Sequence, residues 1–341
     1  MNTDLNEVEN FRLNVDYYGA DFPVDLLVRR MNEEDFIIPG FQREYVWNGD
    51  ESSRFIESLL IGLPTPALFL AKDKFSNKYI VIDGQQRLRT LQYFYEGSFP
   101  DGKPFTLKKV APQLASLGYS TLSPSDRRAL DNAIIHCIII SDNYDPNGMF
   151  HLFERLNTTG SPLTHQEVRN AIYHGSFSDL LQRLSNDQTW LTLYRTKDNR
   201  GEGQELILRF FALHYELEHY TRSFVDFQNF FMLSHKDIEP ERQHEMETLF
   251  LNTINFLKEC IGVNVFYPKK HQFLKGFFDC LMLFTSRKSA QELDCDTFRK
   301  VYDSLVHDDS FWALIRQVPS SRKKAIERLT YVEAAYENIL K

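Results

Sequence analysis

The segment Asp83-Gly84-Gln85-Gln86-Arg87 combines residue types that can bind a phosphate group. It follows Tyr79–Ile82, an apolar run short enough for a buried strand, and it precedes Leu88–Tyr95, which reads as a helix. Backbone N–H groups at a helix start attract an anion, and a glycine lets a ligand approach the backbone closely. The segment therefore predicts a nucleotide-phosphate site. The alternative is an ordinary turn in which Asp83 caps the helix and Arg87 forms a surface ion pair.

Each side chain of this segment has its own chemical use. The Arg87 guanidinium is a planar and permanently charged fork that suits phosphate. The Asp83 carboxylate could hold a divalent cation, or position a water, against that phosphate. Gln85 and Gln86 offer amides without charge. The segment is not a P-loop, because the G-x-x-x-x-G-K-[S/T] pattern occurs nowhere in the chain.

A second candidate segment, Ile38–Trp47, follows a short predicted strand. Its aromatic residues could form a base-stacking wall, and Arg43 beside Gln42 could make a second phosphate contact. The alternative, which its residues alone favour, is that the aromatic side chains fill the core and Arg43 pairs with an acidic neighbour.

A third candidate segment, Phe153–Gly160, connects two predicted helices. Its small polar residues could cradle a ligand, with Asn157 and Thr158 hydrogen-bonding a ribose or a phosphate. The alternative is a plain helix-helix turn, and the local sequence favours that alternative.

The elements around these segments indicate an α+β protein in two parts. The chain has 341 residues, which is typical of two domains. Residues 1–175 mix short strands with helices, whereas residues 176–341 read almost wholly as helices. Ser123-Pro124 and the capping box Thr164–Glu167 predict helix starts. Ile134–Ile140 is either the buried end of a helix or, from Ile138 on, another strand.

Composition restricts the location and the partners. The net charge of −8 argues against electrostatic binding of nucleic acid by the protein surface as a whole, although it is compatible with a local basic groove. The N-terminus lacks the apolar core of a signal peptide, and the apolar stretches are shorter than a membrane helix needs. We therefore expect a cytoplasmic protein without membrane contact. Four cysteines without C-x-x-C spacing (Cys137, Cys260, Cys280 and Cys295) predict reduced, buried thiols rather than a zinc site or disulfides.

Taken together, the three segments resemble a known family. Ile38–Trp47 resembles I-P-x-F-Q-R-x-Y-V-W, Asp83–Thr90 resembles D-G-Q-Q-R-L-x-T, and Phe153–Ala171 resembles F-x-x-L-N-x-x-G-x-x-L-x-x-x-E-x-x-N-A. Their order and spacing are similar to those of the GmrSD-type restriction endonuclease N-terminal domain family, within the ParB/sulfiredoxin-like superfamily. The first two motifs are fairly specific and the third is looser.

The resemblance implies a ParB/sulfiredoxin-like nucleotide-binding domain at residues 1–175 and a helical domain at residues 176–341. It also implies binding, and often hydrolysis, of a nucleoside triphosphate, with Mg²⁺ or another divalent cation as its companion. The residues predicted to act in catalysis are Asp83, Gln86 and Arg87, with Asp83 as the metal ligand. The residues predicted to bind the nucleotide are Gln42, Arg43, Gly84, Gln85, Asn157 and Thr158.

One departure from the family concerns the nuclease. Longer members carry a C-terminal HNH-like His-Asn-His arrangement, whereas His235, His244 and His271 of this chain are isolated. We therefore expect a stand-alone member without an HNH domain, working in a prokaryotic restriction or anti-phage defence system. DNA and a separate nuclease subunit are partners that fit this interpretation, and self-association stays open.

Three functions compete. The first is a nucleotide-binding switch or an NTPase, a phosphoanhydride hydrolase. The second is a non-catalytic interaction module that docks through its helical half. The third is a ParB-like DNA nuclease, which needs carboxylates clustered around a metal, such as Asp83 with Glu154 or Glu167.

Overall fold

The computed structural model divides the chain into two compact units, Met1–Leu163 and Thr164–Lys341. It describes residues 16–38, 45–72, 78–141, 146–156, 163–195, 200–221, 223–269, 272–288, 293–316 and 321–341. The sequence predicts this division after residue 175. The division lies nearer the N-terminus because the helix at His165–Ile172 belongs to the second unit. Its buried Arg169 donates hydrogen bonds to Asn229 and Gln228 of that unit.

A five-stranded mixed sheet forms the centre of the first unit. Its strands are β1 (Tyr17–Pro23), β2 (Phe36–Ile37), β3 (Leu68–Lys72), β4 (Tyr79–Asp83) and β5 (Ile134–Ile140). They lie in the order β1-β5-β3-β4-β2. The pairs β1–β5 and β3–β4 are antiparallel, whereas β3–β5 and β2–β4 are parallel. β3 and β4 are therefore buried between neighbours on both sides, as their apolar sequences predict.

Helices accompany this sheet. They are α1 (Val24–Asn32), α2 (Gly49–Leu60), α3 (Gln85–Glu96), α4 (Pro124–Asp131) and α5 (Pro146–Leu156). In α1, buried apolar residues recur at Val24, Leu27, Val28 and Met31, which is the spacing of one helix face. Helices and a mixed sheet in one unit confirm the prediction of an α+β protein.

The segment Ile134–Ile140 is a strand along its whole length. It was expected to be a helix end or to become a strand only at Ile138, but α4 ends at Asp131. Ile134 is exposed, Ile135 is buried, His136 is exposed and Cys137 is buried. This alternation has a period of two, which is that of a strand.

The second unit is helical throughout its described residues. Its helices are α6 (His165–Ile172), α7 (Ser176–Ser185), α8 (Gln188–Tyr194), α9 (Glu202–Glu216), α10 (Phe224–Ser234), α11 (Pro240–Cys260), α12 (Lys275–Arg287), α13 (Cys295–His307), α14 (Asp309–Arg316) and α15 (Arg322–Leu340). α9 is a buried helix, because every residue from Leu206 to Leu213 is buried. In the described part of the chain, we find no helix with the length and apolar character that spanning a membrane demands.

The cysteine prediction is wrong for one pair. Cys260, at the end of α11, and Cys295, at the start of α13, form a disulfide whose Cα atoms lie 4.9 Å apart. They are 35 residues apart in the chain, so no local spacing reveals the pair. Cys137 and Cys280 are free and buried as predicted, and burial raises the pKa of both thiols, that of Cys137 to about 12.

Reduction of the disulfide is expected to destabilise the second unit. Opening a loop of 35 residues removes a constraint on the unfolded chain that is worth roughly 3–4 kcal/mol. Calorimetry with and without dithiothreitol measures this loss. The double variant Cys260→Ser/Cys295→Ser should match the reduced protein and be insensitive to the reductant. A reductant without effect on wild-type Tm, together with alkylation of both thiols in the untreated native protein, would refute the pairing.

Candidate functional site

The turn Asp83–Arg87 joins a buried strand to a helix start, as predicted. β4 ends at Asp83, Gly84 has a left-handed φ of +102°, and α3 begins at Gln85. A Cβ at Gly84 would collide with the Leu68 side chain, so glycine is needed for conformation and for space. The pairing of β3 with β4 also shifts register between Phe69 and Leu70, beside the turn. Such bulges often re-aim side chains near functional sites.

The start of α3 has no side-chain cap. Gly84 stands at the N-cap position, where no side chain accepts a hydrogen bond from the first turn. The first helical bond runs from the Leu88 N–H to the Gly84 carbonyl, over 3.0 Å. The start of α3 is therefore the positive end of its helix dipole, and no side chain caps it.

Arg87 is buried and is held by acceptors from its own unit. Its guanidinium donates to the Pro66 carbonyl, to the Ala67 carbonyl at 3.2 Å and to the Asp83 carboxylate at 3.1 Å. Only 8% of the residue is exposed. Burial lowers the pKa of Arg87, and the charge of Asp83 offsets part of that effect. Arg87 thus fastens the chain before β3 to the helix start, and its predicted contact with phosphate stays a prediction.

Gln86 connects the Asp83–Thr90 motif with the end of the Ile38–Trp47 motif. Its side-chain oxygen accepts hydrogen bonds from the backbone N–H groups of Val46, at 2.9 Å, and Trp47, at 3.3 Å. Val46 and Trp47 close the Ile38–Trp47 motif, so the structure brings the ends of two predicted segments together. The predicted catalytic role of Gln86 stays untested, but its amide oxygen has a structural use.

A cluster of three hydroxyl groups lies beside this bridge. The Tyr45 phenol hydrogen-bonds to Ser52 at 2.6 Å and to Thr90 at 2.8 Å. Burial raises the pKa of Tyr45, so the phenol stays neutral. The sequence alone does not predict this cluster. The only sequence signals for it are the tyrosine of the Ile38–Trp47 motif and the threonine of the Asp83–Thr90 motif.

Asp83 is the most accessible charged group of the turn. Its side chain is 37% exposed and only its Oδ2 pairs with Arg87. Gln85, in contrast, is buried. Across the part of the chain that the structure describes, no group of three His, Cys, Asp or Glu side chains could hold a metal. The predicted metal site therefore rests on Asp83. One carboxylate fits Mg²⁺, which is usually bound by one or two carboxylates together with substrate phosphates.

The other predicted site residues belong to other segments of the chain. Gln42, Arg43, Asn157 and Thr158 lie outside the described residues. Glu154, proposed for a nuclease centre, accepts from His151 at 3.4 Å. Glu167 caps α6, because its carboxylate accepts from the Thr164 N–H and from Arg200.

Comparison with known proteins supplies the family. No curated protein matches the chain. Residues 25–174 match the family model described as the GmrSD restriction endonuclease, N-terminal domain. The match covers all three motifs, it indicates a restriction-system protein, and no HNH domain is indicated. Over residues 25–174, the chain is therefore similar to the GmrSD N-terminal domain family.

Proposed function

We propose that the turn Asp83–Arg87 binds a nucleoside triphosphate with Mg²⁺, and that the chain is a nucleotide-dependent component of a DNA-restriction system. The observation that supports this most is an uncapped start of a 12-residue helix beside an accessible carboxylate. The positive end of the helix dipole favours an anion, whereas the carboxylate favours a cation. A metal-bound phosphate chain carries both charges.

The residues of the turn divide the work. The first-turn N–H groups of α3 contact phosphate oxygens, and Asp83 holds the divalent cation. When bound, this cation neutralises charge on the phosphates and polarises them for attack by water. Gly84 adopts the left-handed φ that turns β4 into α3, and Arg87 keeps the turn in shape through its bonds to Pro66 and Ala67. We also propose that the chain hydrolyses the triphosphate. The restriction system in which the chain works acts on DNA.

A thermal-shift experiment on the full chain tests binding. Each of the four ribonucleoside triphosphates is added with Mg²⁺. Ligand at 100 times its Kd contributes about 2.7 kcal/mol, which should raise Tm at roughly 2–4 °C per kcal/mol. Asp83→Asn should lose the Mg²⁺-dependent shift, because an amide keeps the shape of the side chain but binds the cation poorly.

Asp101→Asn is the matched control. Asp101 also pairs with a basic residue in the first unit, at 2.6 Å from Lys103, and its side chain is 52% exposed. It should keep the shift. Phosphate release by the wild type and by both variants reports on hydrolysis. The absence of a shift with all four nucleotides would reject the proposal, and an unchanged shift in Asp83→Asn would reject the site.

A further inference from the structure

A cavity of about 360 Å³ lies within the helical second unit, and none of the residues assigned above lines it. It is formed by α9, α11, the end of α12 and the residues just before α13. Its size falls in the range of small-molecule sites. Aromatic and aliphatic side chains form part of its wall, among them Tyr215, Leu249, Phe256 and Leu293. This wall suits a planar or apolar ring.

The cavity also carries a buried polar atom that lacks a partner. Thr285 is 5% exposed, and its Oγ1 makes no hydrogen bond to the described part of the protein. A buried hydroxyl without a partner costs stability, and such a cost is common where a ligand supplies the missing bond.

His214 adds a second polar group to the wall. Its Nδ1 lies 2.8 Å from the Ser286 hydroxyl. Burial, together with the charges of Arg287 and Arg242, lowers the pKa of His214 to about 4. The imidazole is therefore neutral at pH 7, and it offers hydrogen bonds without adding charge.

Cations outnumber anions among the described charged residues that line the cavity or act on His214. Lys288 lines it, and Arg287 and Arg242 both act on His214. The acidic residue of the wall, Glu245, already pairs with Arg242 at 2.8 Å. Within the described residues, no ion pair joins Arg287 or Lys288 to a carboxylate. The surplus positive charge favours an anion.

We propose that this cavity binds a small organic anion that carries a planar ring and is about the size of a mononucleotide. The ring packs against Tyr215 and Phe256, its polar edge bonds to Thr285 and His214, and the anionic group faces Lys288. This site is separate from the triphosphate site at Asp83, and it does not depend on it.

Ligand-observed NMR on the full chain tests the proposal. The probes are the four ribonucleoside monophosphates, indole-3-acetate as a ring with a carboxylate, and the four uncharged nucleosides. Saturation transfer should reach the ring protons of at least one anion, and the matching neutral compound should bind about tenfold more weakly. Binding that is equal for neutral and charged probes, or absent for all anions, would overturn the proposal.

Three variants locate the binding. Asn252→Trp starts from an exposed position on the wall and fills the cavity, so it should abolish binding without disturbing the core. Lys288→Gln should weaken binding roughly fivefold. Lys300→Gln, on an exposed lysine that does not line the cavity, is the matched control and should leave the affinity unchanged. Unchanged binding in Asn252→Trp would place the anion elsewhere.

Thr285→Val adds a readout in the absence of ligand. Valine keeps the shape but removes the unpartnered hydroxyl, so Tm of the free protein should rise while affinity for the anion falls. A lower Tm would show that the hydroxyl already has a partner, and it would count against the polar part of the site.

Discussion

Replacement of Arg87 by methionine is expected to lower the free energy of unfolding of the first unit by about 3 kcal/mol. Methionine keeps most of the apolar stem but donates no hydrogen bond. The carbonyls of Pro66 and Ala67 would lose the donor that they share, and Asp83 would lose its partner. Calorimetry gives the change in Tm, and hydrogen exchange of peptides from α3 shows whether the loss is local to this unit.

Arg54→Met is the matched control for this variant. Arg54 is an exposed arginine of the same unit, on α2, so its replacement should change stability by less than about 0.5 kcal/mol. If Arg87 served the nucleotide alone, Arg87→Met would keep the wild-type Tm and lose only the nucleotide-dependent shift. That outcome would contradict the structural role, whereas a joint loss of stability and of the shift would support Arg87 as a positioning residue.

Removal of the Asp279 carboxylate should have the largest effect in the second unit. Arg209 of α9 donates two hydrogen bonds of 2.5 Å to Asp279 of α12, and both side chains are buried. The guanidinium also lies 4.0 Å from the centre of the Phe224 ring. Burial lowers the pKa of Arg209, but Asp279 outweighs this effect, so the pKa lies above its usual value. Asp279→Ala leaves the buried charge unpaired, and a loss of about 3–5 kcal/mol is expected.

Two further variants separate pairing from burial. The double variant Arg209→Met/Asp279→Leu removes both charges, so it should recover most of the stability lost in Asp279→Ala. Glu247→Ala breaks a more exposed pair of the same unit, in which Arg183 lies 3.5 Å away, and should cost less than about 1 kcal/mol. Urea unfolding measures all three. A single variant Asp279→Ala as stable as Glu247→Ala would mean that the charge is not buried in solution.

Features with a local signature were predictable from the sequence. Ser123 caps α4 with proline at the first helical position, and Thr164 forms a capping box with Glu167. The turn at Gly84 was predictable as well, because a buried strand, a glycine and a helical spacing follow one another there. Each of these signals lies within a few residues, where side-chain and backbone chemistry decide the conformation.

Features that depend on distant partners were not predictable. β1 was missed because it forms only by pairing with β5, more than 100 residues later. The disulfide and the two carbonyls that hold Arg87 depend on contacts across 20 to 35 residues. The residue type of Arg87 therefore predicted a contact with phosphate. Its burial, which the sequence does not reveal, shows that the guanidinium also holds the structure of the turn together.

The amide of Gln86 has a consequence for how this domain can change during evolution. The side-chain oxygen of Gln86 accepts hydrogen bonds from the backbone N–H groups of both Val46 and Trp47. A replacement at position 86 therefore changes which residues are tolerated at positions 45–47. The effects of changes in the two motifs should therefore be epistatic rather than additive. Among relatives of this domain, residue 86 and the residues at the end of the Ile38–Trp47 motif should therefore vary together. A replacement at one of these positions should be accompanied by a compensating replacement at the other.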